Sequence, residues 1–169
     1  MVLRQTKLTE TSLIVGWLTE EHGLIQTVAR AARQARSPFA GRVDLFVEAE
    51  VVWAWPKKTG RSELCHLREV EVRSYRAGIR QSYRNLATAS YFAEILLQLL
   101  EPGYPVPELY DLLQRALDFL EKKNATRRAV AHFERELGRL QGVGEQGAIG
   151  LREVLGALPK SREQCLDLL

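Results

Sequence analysis

Apolar and polar positions alternate with a period of two along the first 80 residues and recur every three to four residues after that. Ser12-Leu13-Ile14-Val15-Gly16-Trp17-Leu18-Thr19 is β-branched and apolar, and halts at Glu20-Glu21-His22-Gly23, a polar turn closed by glycine. Leu24-Ile25-Gln26-Thr27-Val28-Ala29-Arg30 follows, and the two runs predict a hairpin. Residues 44–55 predict a long strand with Leu45, Val47, Ala49, Val51, Trp53 and Trp55 on one face and Glu48 and Glu50 on the other. Pro56-Lys57-Lys58-Thr59-Gly60-Arg61 reads as a turn, and residues 64–75 resume the extended pattern with Leu64, His66, Val70 and Val72 on one face. Four or five strands with no helix between them suggest a small antiparallel barrel or sandwich.

Near residue 80 the period changes. Tyr83, Leu86, Ser90, Ala93, Leu97 and Leu100 form a helical stripe, which Tyr91, Phe92, Ile95, Leu96 and Leu99 widen. Pro102-Gly103-Tyr104-Pro105-Val106-Pro107 ends that helix. A second helix turns Leu109, Leu112, Leu113, Ala116, Leu117 and Leu120 inward, with Glu108 and Asp111 at its start and Lys122 and Lys123 at its end to suit the helix dipole. A third spans about residues 125–140 through Val130, Phe133, Leu137 and Leu140, and a short helix follows near residues 150–157. Ser161 with Gln164 three residues on predicts a capping box for a last helix. The expected fold is α+β, a β domain over residues 1–80 and a helical domain over residues 81–169.

Composition narrows the classes. With 46% hydrophobic and 27% charged residues among 169, the chain is neither disordered nor a collagen-like repeat. No apolar run approaches the roughly 18 residues of a membrane span, and no secretory signal is visible, so a soluble cytoplasmic protein is expected. Cys65 and Cys165 lie too far apart in sequence for a disulfide framework and read as buried thiols. The net charge of +3 is unevenly spread. Residues 1–80 hold 13 lysines and arginines against 9 acids, and residues 81–169 hold 11 against 12.

Catalytic constellations are lacking. Gly142-Val143-Gly144-Glu145-Gln146-Gly147 matches GxGxxG, but a dinucleotide site needs a strand before it, and here a helix precedes it. His22, His66 and His132 are scattered and show no metal-ligand spacing. No nucleophile elbow, phosphate loop or carboxylate pair stands out, so no enzyme, no cofactor and no metal is expected.

The strongest local signal is Arg30-Ala31-Ala32-Arg33-Gln34-Ala35-Arg36-Ser37-Pro38-Phe39-Ala40-Gly41-Arg42, four arginines without an acid where a strand runs into a loop. Arginines so placed can pair successive phosphates and release counterions. Lys57, Lys58 and Arg61 form a second basic turn, and Trp17, Trp53, Trp55 and Tyr75 supply aromatic rings of the kind on which single-stranded bases stack. The plainer alternative is a solvated loop beside core tryptophans. Another basic group, Arg127 and Arg128 with Arg135 and Arg139, follows Lys122-Lys123, with Phe133 and Leu137 close by in sequence. Such a helix face is usually only solvated, but it can also hold an acidic peptide that ends in an apolar residue and a carboxylate.

The order of these features resembles the bacterial recombination and repair protein O (RecO) family. The resemblance runs from Glu10-Thr11-Ser12-Leu13-Ile14-Val15 through Leu18-Thr19-Glu20-Glu21-His22-Gly23-Leu24-Ile25 and the basic Ala29-Arg30-Ala31-Ala32-Arg33 to Phe39 and Gly41. In the helical part it rests on residues 86–100, on Pro107-Glu108-Leu109-Tyr110-Asp111-Leu112-Leu113, on Phe133-Glu134-Arg135-Glu136-Leu137 with Leu140, and on Leu158-Pro159-Lys160-Ser161-Arg162. It implies an N-terminal OB-fold antiparallel β-barrel followed by an α-helical domain. It further implies a DNA repair and recombination mediator that binds single- and double-stranded DNA, anneals strands and aids recombinase loading. The implied partners are recombination protein R and the C-terminal tail of single-stranded-DNA-binding protein. Arg30, Arg33, Arg36, Arg42, Lys57, Lys58 and Arg61 carry over as DNA contacts, and Arg127, Arg128, Arg135 and Arg139 as the tail-binding face. Many members carry a four-cysteine zinc knuckle after the third helix. Residues 142–150 stand there instead, so no zinc is expected. The alternative is an adaptor whose helical domain binds an acidic partner peptide.

Overall fold

In a computed structural model, which describes residues 1–56 and 64–169, the contacts divide into two units. The first is Met1–Tyr75 with Glu101–Pro105, and the second is Arg76–Leu100 with Val106–Leu169. The chain thus leaves the first unit at Tyr75, and the Pro/Gly segment after the long helix returns to it. There Pro102 bridges to Gly23 and Leu24, and the Gly103 N–H donates to the Leu24 carbonyl at 3.1 Å.

The first unit is one five-stranded sheet of β1 (Val2–Lys7), β2 (Leu13–Thr19), β3 (Gly23–Ala29), β4 (Glu48–Ala54) and β5 (Cys65–Ser74), in the order β1-β2-β3-β5-β4. Three ladders are antiparallel, and β3 meets β5 in parallel through Thr27–Cys65 and Val28–His66. This is the strand arrangement of an OB-fold, a five-stranded and partly open barrel. The sheet is not closed: β1 and β4 form no ladder, though Val2 exchanges backbone hydrogen bonds with Phe46 (2.9 Å) and Val47 (3.0 Å) just before β4. Val2, Val15, Trp17, Ala29, Val47, Leu67 and Val70 fill the interior.

Three sequence expectations change here. β1 is a strand that the pattern did not reveal, because Arg4, Gln5, Thr6 and Lys7 make it look polar; pairing to β2 holds it. β4 begins at Glu48 rather than at residue 44. The Asp44 side chain accepts from the Leu45 N–H (2.9 Å), the Val47 N–H closes onto the Asp44 carbonyl (3.1 Å), and Phe46 adopts φ 64°, which makes the stretch a turn. On β5, Val52 faces Glu69 while Trp53 faces Leu67, so Arg68 is an extra residue. That bulge reverses the alternation, and Cys65 and Leu67 are buried with Val70 where His66 was expected.

The second unit contains α1 (Ala77–Arg80), α2 (Tyr83–Leu99), α3 (Pro107–Lys122), α4 (Arg127–Leu140), α5 (Ala148–Leu155) and α6 (Ser161–Asp167). Ser82 and Thr126 cap α2 and α4 by accepting from the Asn85 and Ala129 N–H groups. Pro107 opens α3, where its missing N–H costs nothing. Leucines 96, 109, 112, 113, 117, 120 and 137 close the core, and Phe92 of α2 stacks on Phe133 of α4 with centroids 3.9 Å apart. Asn85, buried on α2, donates to the Leu120 (2.6 Å) and Lys123 (2.9 Å) carbonyls and accepts from the Ala125 N–H (2.8 Å). One amide thereby satisfies the end of α3 and the approach to α4. The capping box expected at Ser161 does not form: Lys160 is the N-cap, and the Ser161 hydroxyl bonds the Glu94 carboxylate instead. No helix among the described residues is long and apolar enough to cross a membrane.

Candidate functional site

The basic loop between β3 and β4 has a definite shape. Backbone bonds close turns from Gln34 to Ala31, Ser37 to Gln34, Ala40 to Ser37 and Arg42 to Phe39. Ala32, Phe39 and Val43 enter the barrel core at intervals along it. The Arg33 N–H donates to the Thr11 carbonyl (2.9 Å), the Ala31 N–H to the Ser12 hydroxyl (3.2 Å), and the Gln5 amide to the Val43 carbonyl (2.6 Å). With the apolar residues held inward, Arg30, Arg33, Arg36 and Arg42 are all left exposed. Arg33 donates to the Glu10 carbonyl at 2.9 Å and lies 4.0 Å from the Glu10 carboxylate. Arg30, Arg36 and Arg42 have no carboxylate partner among the described residues. Lys57, Lys58 and Arg61 lie outside those residues. Of the aromatic residues, Trp17 belongs to the core and donates its indole N–H to Thr27 Oγ1 at 2.9 Å, whereas Trp55 and Tyr75 are exposed.

Within the helical unit a groove of about 570 Å³ opens beside α3 and α4. Phe92, Leu112, Ala116, Phe119, Ala129 and Phe133 give it an apolar floor, and Arg115, Arg128, Arg135 and His132 stand among its lining residues. Of the four arginines singled out in sequence, Arg128 and Arg135 line this groove. Arg127 instead donates to the Leu166 carbonyl at 2.6 Å, and Arg139 pairs with Glu136 at 3.2 Å. Arg115 and Phe119 are additions. Arg115 sits 2.7 Å from Asp111 one turn earlier, the spacing of an ordinary solvated pair, so sequence alone does not distinguish it. Phe119 carried a usable signal, since it falls outside the leucine stripe of α3 and remains exposed.

A buried polar cluster holds α4 in place. Glu134 is 3% exposed, and it accepts from the Tyr91 hydroxyl (2.7 Å) and from Arg162 (2.6 and 3.3 Å), joining α2, α4 and α6. Burial, and then the neighbouring Glu134 carboxylate, push the Tyr91 phenol well above its ordinary value, and the bond to Glu134 raises Arg162. Burial likewise raises both thiols, Cys65 and Cys165. Gly142, Gly144 and Gly147 take positive φ in the loop between α4 and α5; a helix opens after Gly147, but α4 rather than a strand precedes the motif.

Residues 1–76 match the family described as Recombination protein O N terminal, and residues 80–146 match Recombination protein O C terminal. Among curated relatives, a protein of Methylococcus capsulatus named DNA repair protein RecO is 34% identical over 137 residues, 81% of this chain and 54% of its own length. A DNA repair protein RecO of Gloeothece citriformis is 30% identical over 167 residues, 99% of this chain and 53% of its own. One from Gloeobacter violaceus is 37% identical over 124 residues, 73% of this chain and 44% of its own. The chain spans about half the length of the curated relatives it matches. Both of its units fall within the two matched segments for most of their length, and the chain belongs to the recombination protein O family.

Proposed function

We propose that this chain serves DNA repair and recombination by binding single- and double-stranded DNA, with Arg30, Arg33, Arg36 and Arg42 on the phosphates. The observation that supports this most is the β3–β4 loop, whose apolar residues are anchored in the barrel while its arginines stay exposed. Arg30, Arg36 and Arg42 have no carboxylate neighbour among the described residues to compete with phosphate, and Arg33 meets Glu10 only at the exposed surface. Neutralising two strands at once lowers their mutual repulsion, so annealing needs proximity and charge compensation and no covalent step. Lys57, Lys58 and Arg61 would extend the contact, and recombinase loading with recombination protein R would follow from it. A strand-annealing assay tests the reading. The Arg30→Ala/Arg33→Ala/Arg36→Ala variant should anneal complementary oligonucleotides much more slowly than the parent. Equal annealing rates would refute the assignment.

The groove supports a companion reading. An apolar floor beside Arg115, Arg128 and Arg135 suits an acidic peptide that ends in an apolar side chain and a carboxylate, the chemistry of the C-terminal tail of single-stranded-DNA-binding protein. Arg127 and Arg139 would contribute only at the edge, since neither lines the groove and each turns to a partner elsewhere. Anisotropy of a labelled acidic tail peptide should show weaker binding for Arg128→Ala/Arg135→Ala. Tight peptide binding by a chain that fails to bind DNA at low salt would favour the adaptor over the DNA mediator.

A further inference from the structure

The barrel brings three aromatic rings together at one place. Trp53 and Trp55, at the end of β4, meet His22 from the β2–β3 turn. Ring centroids lie 5.4 Å apart for His22–Trp53, 6.0 Å for His22–Trp55 and 6.1 Å for Trp53–Trp55. The interplanar angles are 88°, 53° and 81°, so none of these rings lies parallel on another. Phe92 and Phe133, which serve the helical core, do stack, at 14°. Two of the contacts are edge to face and the third is tilted, so the cluster spends no ring face on parallel stacking. Trp55 is 58% exposed, although indole is among the largest apolar groups a chain can bury.

The turn that carries His22 is pinned. The His22 N–H donates to Thr19 Oγ1 (3.1 Å), and the Thr19 hydroxyl donates to the Gly23 carbonyl (3.0 Å). Gly23 takes φ 60°, and a Cβ there would stand 1.8 Å from the Tyr104 carbonyl oxygen, so the turn sits directly against that backbone.

Size and charge select the occupant. An aromatic side chain buries about 150–250 Å² when fully covered, so three partly covered rings fall far short of the roughly 800 Å² per partner of a stable protein interface. They do match the face of one or two nucleobases. Exposed Glu20 and Glu21 adjoin His22, so attraction to phosphate cannot be what recruits the strand at the turn. The sequence after Trp55 is basic, with Lys57, Lys58 and Arg61 within six residues. We infer that Trp55, braced by Trp53 and His22, is a stacking surface for unpaired bases of single-stranded DNA, separate from the arginine loop. This rests on the DNA-binding reading above and adds a component to it that depends on base faces rather than charge.

The test is anisotropy of a labelled unstructured oligothymidylate over a salt series, with a fully paired duplex of the same length in parallel. Trp55→Ala should weaken single-strand binding roughly 5- to 100-fold with the salt slope unchanged and leave duplex binding as it was, since paired bases offer no face. Trp55→Phe should keep most of the affinity. Quenching of intrinsic tryptophan fluorescence on binding should be strong in the parent and clearly reduced in Trp55→Phe, where only the partly covered Trp53 and the buried Trp17 still emit. Parental affinity and undiminished quenching in the Trp55 variants would overturn the stacking surface while leaving DNA binding intact. Failure of the parent itself to bind at low salt would overturn the DNA reading and this inference together.

Discussion

Replacing Asn85 with alanine tests how the groove is built. The carboxamide makes three hydrogen bonds to backbone, to Leu120 and Lys123 at the end of α3 and to Ala125 before α4. Each such bond contributes about 1 kcal/mol net, and a buried group left without a partner costs about 1–3 kcal/mol. Asn85 and Ala125 are both buried, so water replaces little of what is lost. The expected loss is about 3 kcal/mol for the helical unit. Asn85→Asp is the sharper companion. Its carboxylate still accepts from the Ala125 N–H but turns negative oxygen toward two carbonyls, so at neutral pH it should be at least as destabilising as alanine. Urea unfolding followed by far-ultraviolet circular dichroism measures both, with the dependence on urea serving as a check that the unfolded states are comparable. Because the groove is formed beside α3 and α4, binding of the acidic peptide should weaken in both variants under folding conditions. A loss below about 1 kcal/mol for alanine, or an aspartate variant as stable as the parent, would refute the reasoning.

Other expectations follow from single contacts. Thr27→Val removes the acceptor of the fully buried Trp17 indole N–H and should cost about 1–3 kcal/mol in thermal or urea unfolding. Gly23→Ala meets both a left-handed backbone and the Tyr104 carbonyl, and should lower the melting temperature of the barrel and disturb the Trp53–Trp55 fluorescence. Tyr91 is held neutral by burial, its pKa raised in the folded state, so its contribution is full below the ordinary phenol value near 10 and declines as pH rises beyond it. Melting temperatures should therefore fall above about pH 10, and Tyr91→Phe should flatten that decline.

The helical half was legible because a stripe of leucines at helical spacing needs no knowledge of its neighbours. Leu109, Leu112, Leu113, Leu117 and Leu120 are all buried where the period puts them. The barrel was less so, since its details depend on pairing. β1 is polar for most of its length and becomes a strand only beside β2. The extra residue Arg68 shifts the phase of β5, and only the opposing strand reveals it. The four arginines of the β3–β4 loop stood out in sequence as a run without acids, and what the fold adds is the reason they face outward: Ala32, Phe39 and Val43 are spent in the core. The groove was half visible. Arg128 and Arg135 share a helix face by spacing, but Arg115 and Phe119 come from another helix, and only packing brings the two helices side by side.

The claim that the arginine loop binds phosphate is tested most directly by the salt dependence of binding to an unstructured oligonucleotide. Each phosphate contact on a single strand contributes about −0.7 to the slope of log affinity against log salt, so four arginines account for about −3. The Arg30→Ala/Arg33→Ala/Arg36→Ala variant should lose about 2 of that slope along with its affinity at low salt. A slope unchanged by the three substitutions, or binding indifferent to salt in the parent, would contradict the account.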